Sequence, residues 1–343
     1  MFLGVASVAL VGVAMMATAD GPGGSGTDPS APASDPAAGQ PSPQHPYRAF
    51  AANSWWNAPL PEDVPTNPAG SEILDYMRTA RESGDGCVAL AGAGHSHWGQ
   101  PIYWTRPSDP TYDVTGGKNE RPPELASLRI PDEAEPAKNS DGTMSIYDLQ
   151  KGYVVALTGA RFNEDTHSWR ASGATVTYLD SDGLHVDTGQ SDNRDNTGTH
   201  RGNNGATMAV SWDEVRAGAI RHVLKVAAGP EVADRYVFPM VGSDGDYRGN
   251  DPEVPPQGLR MRIKPSVDLD ELELNPDALV IARALQTYGF YIGDSGGRTS
   301  LKLENTVAEG RGQLWNLRDD ALCSLPFTMD YWDVVAEGYD PSR

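Results

Sequence analysis

From about residue 88 onward, apolar and polar positions alternate with a period of two in short runs: VALAGAG, QPIYWT, MSIYDL, GYVVALTGARF, ATVTYL, AIRHVLKVAA, RYVFPM, GLRMRIK and TSLKLE. These runs are rich in β-branched and aromatic residues and are separated by turn clusters, which predicts short strands. The expected fold is mainly β: a β-sandwich or jelly-roll-like single domain with a few short helices. Ser-Asp-Gly recurs at Ser140, Ser181 and Ser243, and Asp-Gly supplies the positive φ that such turns need.

Three segments change to a helical period. Residues 71–82 place Ile73, Leu74, Met77 and Ala80 on one face, and Ser211 with Glu214 forms a capping box over WDEVRAG. In the third, Asn275 is the N-cap, Pro276 takes the first helical position, Asp277 complements the dipole and Gly289 ends the run. Its apolar face is Val280, Ile281, Ala284, Leu285 and Tyr288.

Ahead of the patterned region the chain changes character twice. Residues 1–19, MFLGVASVALVGVAMMATA, are uncharged and apolar, too short for a stop-transfer helix, and end on Ala17-Thr18-Ala19, so they read as a secretory signal peptide. Residues 20–45 are Gly, Pro, Ser, Ala and Asp with almost no large apolar side chain, the composition of a disordered tether. Residues 46–343 then form the β-rich globular domain. Export would put the only two cysteines, Cys87 and Cys323, in an oxidising compartment, where they either pair across a long loop or stay as buried thiols. The chain carries a net charge of −20, of which Asp20, Asp28 and Asp35 lie in the tether, leaving −17 on the domain. Duplex nucleic acid is excluded as a partner, because its binding rests on clustered Lys and Arg.

The stretch Tyr288 to Ser300 reads YGFYIGDSGGRTS. GDSGG is the nucleophile loop of chymotrypsin-like serine proteases, but there it sits in a double β-barrel, whereas here it follows a capped helix by four residues. The favoured reading is a glycine-bearing turn leading into TSLKLE, with a protease as the alternative. The succession GAIRHVLKVA, PPQGLRMRIKPSVDLDELEL and ALVIARALQTYGFYIGDSGG, together with NSWWNAPLP, SDGTMSIYD and Trp169, resembles a group of exported, mainly actinobacterial proteins of poorly characterised function. In that group the GDSGG position also reads GDNGG or ADNGS, so the resemblance implies Asp294 and Gly296 rather than Ser295. Thr143 stands where that group usually has a histidine.

Alternation in AIRHVLKVAA turns His222 inward, either as a hydrogen-bonded core histidine or as a catalytic base. The same reasoning places Arg221, Lys225, Arg260, Arg262 and Lys264 in a basic stripe, which either pairs with neighbouring acids or binds an anionic polymer. Asp294 and Glu304 flank the GDSGG turn as a candidate carboxylate pair for glycoside hydrolysis. His95 and His97 have the spacing of weak metal-ligand candidates, while Trp98 and Trp104 suit sugar stacking. Asp180 and the segment from Gly242 admit a calcium-loop reading beside the turn reading, without the acid at the twelfth position that a full loop has. The expectation is a secreted polysaccharide-active enzyme, hydrolase or lyase, using Asp294, His222 and Glu304, with Arg260, Arg262, Arg221, Trp98 and Trp104 binding a polysaccharide or cell-wall glycan. It needs no cofactor other than the calcium of that alternative. A non-catalytic glycan-binding or cell-envelope protein is the alternative of a different class.

Overall fold

The computed structural model describes residues 46–94, 97–116, 121–184, 197–198, 202 and 204–341. The leader and tether expectations, residues 1–45, and His95 lie outside the described residues. In chain order the elements begin with α1 (Gly70–Thr79), β1 (Ala89–Ala91), β2 (Ile102–Trp104), β3 (Thr111–Tyr112), β4 (Leu128–Arg129), β5 (Met144–Asp148), β6 (Tyr153–Thr158), β7 (Arg161–Asn163), β8 (Ser168–Arg170) and β9 (Gly173–Tyr178). They continue with β10 (Thr197–Gly198), α2 (Trp212–Arg216), β11 (Leu224–Ala228), β12 (Ala233–Tyr236), β13 (Pro256–Gln257), β14 (Arg260–Ile263), α3 (Pro276–Thr287), β15 (Phe290–Ser295), β16 (Ser300–Lys302) and β17 (Trp332–Val334). The fold is mainly β, as the period of two predicts.

Two sheets dominate, one of six strands in the order β1-β16-β11-β15-β14-β17 and one of five in the order β10-β9-β6-β5-β2. Alternation assigns their faces. Leu224, Val226, Phe290, Ile292 and Leu301 turn from the six-stranded sheet into an outer core with α1 and α3. In the five-stranded sheet Val155, Leu157, Ala174 and Val176 pack into a second outer core with Tyr112, Leu128 and Trp169. The opposite faces of both sheets meet an inner layer containing Phe50, Trp55, Trp56 and Ala206 to Ala209. Each fully buried aliphatic or aromatic side chain in these layers contributes about 1.5–3 kcal/mol. The opposed sheets follow the sandwich alternative. Jelly rolls are antiparallel, whereas β11 pairs parallel with β15 and antiparallel with β16.

The helix signals are met locally. The Asn275 side chain accepts from the Asp277 amide at 2.9 Å, and Ala278, Ile281, Ala282, Ala284 and Leu285 are buried. Gly289 follows at φ 71°, where a Cβ would stand 2.3 Å from the Met261 carbonyl oxygen. Cys87 and Cys323 form a disulfide that closes a separation of 236 residues with 5.1 Å between Cα atoms. A loop of that length restricts the unfolded chain enough to contribute about 3–5 kcal/mol. Among the described residues no helix is long and apolar enough to cross a membrane.

Candidate functional site

Gly293, Asp294 and Ser295 of GDSGG end β15, and the glycine-bearing turn that the sequence reading expects begins only at Gly296 and does not close a hairpin. It carries the chain from β15 to β16, which flank β11 on either side, and the Gly296 amide donates to the Ala228 carbonyl at 2.8 Å as it passes the end of β11. The residue that matters most for the site is Gly293. Strict alternation would place Asp294 in phase with Phe290 and Ile292, pointing into the outer core. The register instead slips by one residue: Val226 pairs with Ile292, and Ala227 with Asp294, leaving Gly293 as a bulge. Asp294 therefore shares the inner face with Lys225, Ala227 and Lys302. A Cβ on Gly293 would sit 2.7 Å from the Tyr291 ring and 2.9 Å from Lys225 Cγ. Gly293→Ala is expected to destabilise the fold by about 1–3 kcal/mol through overpacking. Urea unfolding checks this, and wild-type unfolding would show that the bulge has no need of glycine.

Asp294 borders two adjoining cavities of about 430 and 420 Å³, which both also contain Asp141, Ala227, Ser295 and Lys302 in their walls. Lys225 Nζ lies 3.4 Å from Asp294 Oδ2, with the lysine buried and the carboxylate 24% exposed. The far wall is the polar inner face of the five-stranded sheet, with Thr143, Ala156, Thr158 and Gly173. Asp141 stands there on a turn fixed by Asn139, whose Oδ1 accepts from the amides of Asp141 and Gly142 at 3.0 and 3.1 Å. Asn139 Nδ2 donates to the His97 carbonyl at 2.9 Å, tying the same turn to the loop that presents Trp98. Trp98 is 47% exposed and lines the second cavity, in keeping with a stacking role. Thr143 Oγ1 is buried without a hydrogen-bond partner. Among the described residues no histidine lines any cavity that Ser295 borders, so the GDSGG serine lacks the base of a chymotrypsin-like triad there.

His222 and Glu304 do not join Asp294. Both line a separate cavity of about 40 Å³, room for roughly one or two waters, divided from the cleft by Met208 and Ala209. His222 is buried, its Nδ1 2.7 Å from the Val223 carbonyl and its Nε2 3.2 Å from Glu214 Oε1. Burial pulls the imidazolium down, but Glu214 and the carbonyl outweigh it, leaving the pKa above the ordinary 6.5. The capping residue Glu214, whose amide donates to Ser211 Oγ at 3.2 Å, thus also holds His222. Glu304 Oε2 accepts from the Trp212 amide at 2.6 Å, and Oε1 meets Arg311 Nη1 at 2.6 Å. Glu309 shares that arginine at 3.2 Å and accepts from the Ile102 amide at 2.8 Å. Burial raises both carboxyls; Arg311 partly offsets this at Glu304, and the neighbouring Glu304 charge raises Glu309 further, well above the ordinary range. The pairing of Asp294 with Glu304, and His222 as its base, are therefore corrected: these groups belong to a structural network behind the cleft.

The basic stripe exists but is covered. Arg260 and Lys225 both pair with Tyr291 in register, so they share a face, with Arg262 continuing the row. Residues 54–62 lie over the arginines, leaving them 3% and 2% exposed. Arg260 donates to Tyr288 and Ala58 carbonyls at 2.8 and 3.1 Å, with its guanidinium 4.7 Å from the Trp55 ring centre. Arg262 donates to Pro61 and Glu62 carbonyls at 2.6 and 2.7 Å and to Asp333 at 3.1 Å. Neither is accessible to a polymer, which corrects their assignment as substrate-binding residues. Arg221 is exposed but precedes β11 and lines neither cavity of the cleft. Trp104 is likewise corrected: it stacks on Tyr147 at 4.1 Å with Tyr47 against its edge, in the wall of the small cavity.

His97 is exposed and takes part through its carbonyl, while its candidate partner His95 is not described. The calcium-loop segments form turns closed by their own side chains, with Asp182 Oδ1 accepting from Leu184 at 2.8 Å and Ser243 Oγ from Gly245 at 3.0 Å. Among the described residues, the one group with three ligand atoms at metal spacing is Asp85, Cys87 and Cys323, whose sulfurs are joined to each other. Sequence reasoning missed Asp141, Lys302 and the bulge; the Ser-Asp-Gly turn at Ser140 was the available signal for the first. No protein-family model, curated protein or solved structure matches the chain.

Proposed function

We propose that the protein is a secreted polysaccharide-active hydrolase whose reaction takes place in the cleft at Asp294. The observation that carries this reading is the Gly293 bulge, which turns a carboxylate out of the core and onto a cleft floor, where it faces the same cavities as Asp141. Glycoside hydrolysis uses two carboxyl groups on either side of the scissile bond, one protonating the leaving oxygen and the other acting as base or nucleophile. Asp294, held against the Lys225 ammonium, suits the ionised role. Asp141, on the opposite wall of the same cavities, is the candidate second carboxyl. Trp98, half exposed at the second cavity, is the candidate platform for a sugar ring. The apolar leader and the disulfide agree with export.

The test incubates the purified protein with neutral and uronate-containing polysaccharides, following new reducing ends and the absorbance of unsaturated products. New reducing ends without unsaturation, abolished in Asp294→Asn and Asp141→Asn, are expected. Unsaturated ends would make the enzyme a lyase. Salt-sensitive retention of a polymer without any product would replace the enzyme with a glycan-binding protein.

A further inference from the structure

The cleft does not end at Asp141. Asp141, Thr158 and Ser172 also border a further open cavity of about 610 Å³, whose wall includes Arg161 and Arg170. These two arginines are directly opposite each other across the β7–β8 hairpin. Phe162 and Trp169, the adjacent pair, point the other way into the core, so both guanidinium groups lie on the outward face. Both are exposed, and neither has an acidic or hydrogen-bonding side-chain partner among the described residues. Like charges placed opposite one another on a hairpin are unfavourable. In a chain of net charge −20 with 47 acids, acidic partners are plentiful, and most other arginines of the fold have one. An unneutralised facing pair beside a cavity is the arrangement that an anionic ligand would complete, each guanidinium offering a planar fork of donors.

We infer that Arg161 and Arg170 form an anion-binding subsite, reached from the cleft past Asp141, which selects polysaccharides bearing anionic groups, with carboxylate as the preferred group. This rests on the proposed hydrolase for its place along a substrate, but not for its binding chemistry. It returns to the chain the anionic preference that the buried Arg260 and Arg262 cannot supply, through residues on the separate β7–β8 hairpin.

The experiment measures equilibrium binding of fluorescently labelled oligogalacturonate, a sulfated oligosaccharide and an uncharged oligosaccharide of similar length. It uses the Asp294→Asn protein, so that turnover does not consume the probe, alone and combined with Arg161→Gln, Arg170→Gln or both. Oligogalacturonate should bind more tightly than the uncharged probe and weaken with salt. Each single substitution should reduce its affinity about 10-fold and the double substitution about 100-fold, as for lost charge-assisted hydrogen bonds. The arginine variants should melt no lower than their parent, which separates a binding loss from a folding loss. Tighter binding of the sulfated probe with the same arginine dependence would overturn the carboxylate preference. Equal binding of charged and uncharged probes, or anionic binding that survives the double substitution, would overturn the subsite. If anionic probes bind through these arginines while no polymer is cleaved, the subsite stands and the hydrolase reading falls.

Discussion

Asp294→Asn is expected to lower turnover of a cleaved polysaccharide by about 10²- to 10⁴-fold, the usual contribution of a positioned catalytic carboxyl, while binding and folding persist. The substitution keeps an oxygen to accept from Lys225 but takes the negative charge from beside a buried ammonium, a loss of about 1–3 kcal/mol. Initial rates with saturating polymer, beside thermal melts of both proteins, check the separation. Loss of rate together with collapse of the melt would make Asp294 a structural residue. An unchanged rate would remove it from the chemistry.

The second large effect concerns stability. Arg311→Met is expected to cost about 2–4 kcal/mol, somewhat less than the 3–5 kcal/mol of a fully buried broken pair because the guanidinium is 33% exposed. It would leave Glu304 and Glu309, 5% and 7% exposed, without their shared cation. The pH dependence has a definite sign. Folding raises both carboxyls above their ordinary 4.5 and His222 above its ordinary 6.5, so over these windows the native state binds protons more tightly than the unfolded chain. The carboxyl contribution is complete below about 4.5 and declines as pH rises toward the folded values; the His222 contribution is complete below about 6.5 and is then lost. The melting temperature should therefore fall between about pH 5 and pH 8 from these groups. Glu309→Gln keeps an acceptor for the Ile102 amide and a donor toward Glu304, so it should flatten that slope without lowering the melt. A Glu309→Gln protein with the wild-type slope would show that the proton is held elsewhere.

How much of this was legible in the sequence depends on the range over which each feature is specified. The caps of α3, the Ser211–Glu214 box and the strand faces follow from residues within a few positions of each other. Their chemistry is local, and the structure matches it. The basic row was also read correctly as a shared face, since alternation fixes which way Arg260 and Arg262 point. Their burial was not legible, because residues 54–62, some two hundred positions away, supply the covering carbonyls. Gly293 hides a different kind of information: a one-residue bulge reverses the face of everything after it. Asp294 thus reached the cleft for a reason that alternation alone would deny. His222 lies just before β11 and Glu304 just beyond β16, outside the strands that alternation gave them, and their partners Glu214 and Arg311 draw them into a network away from Asp294. Arg161 and Arg170 gave no signal as a pair until the hairpin register placed them opposite each other.

The measurement that bears most directly on the cleft is a crystal structure of the Asp294→Asn protein with an oligosaccharide of a polymer that the wild type cleaves. The expected result is a sugar chain lying between position 294 and Asp141, a glycosidic oxygen within hydrogen-bond reach of one of them, and a ring stacked on Trp98. A sugar bound elsewhere, with the space between Asp294 and Asp141 holding only water, would contradict it.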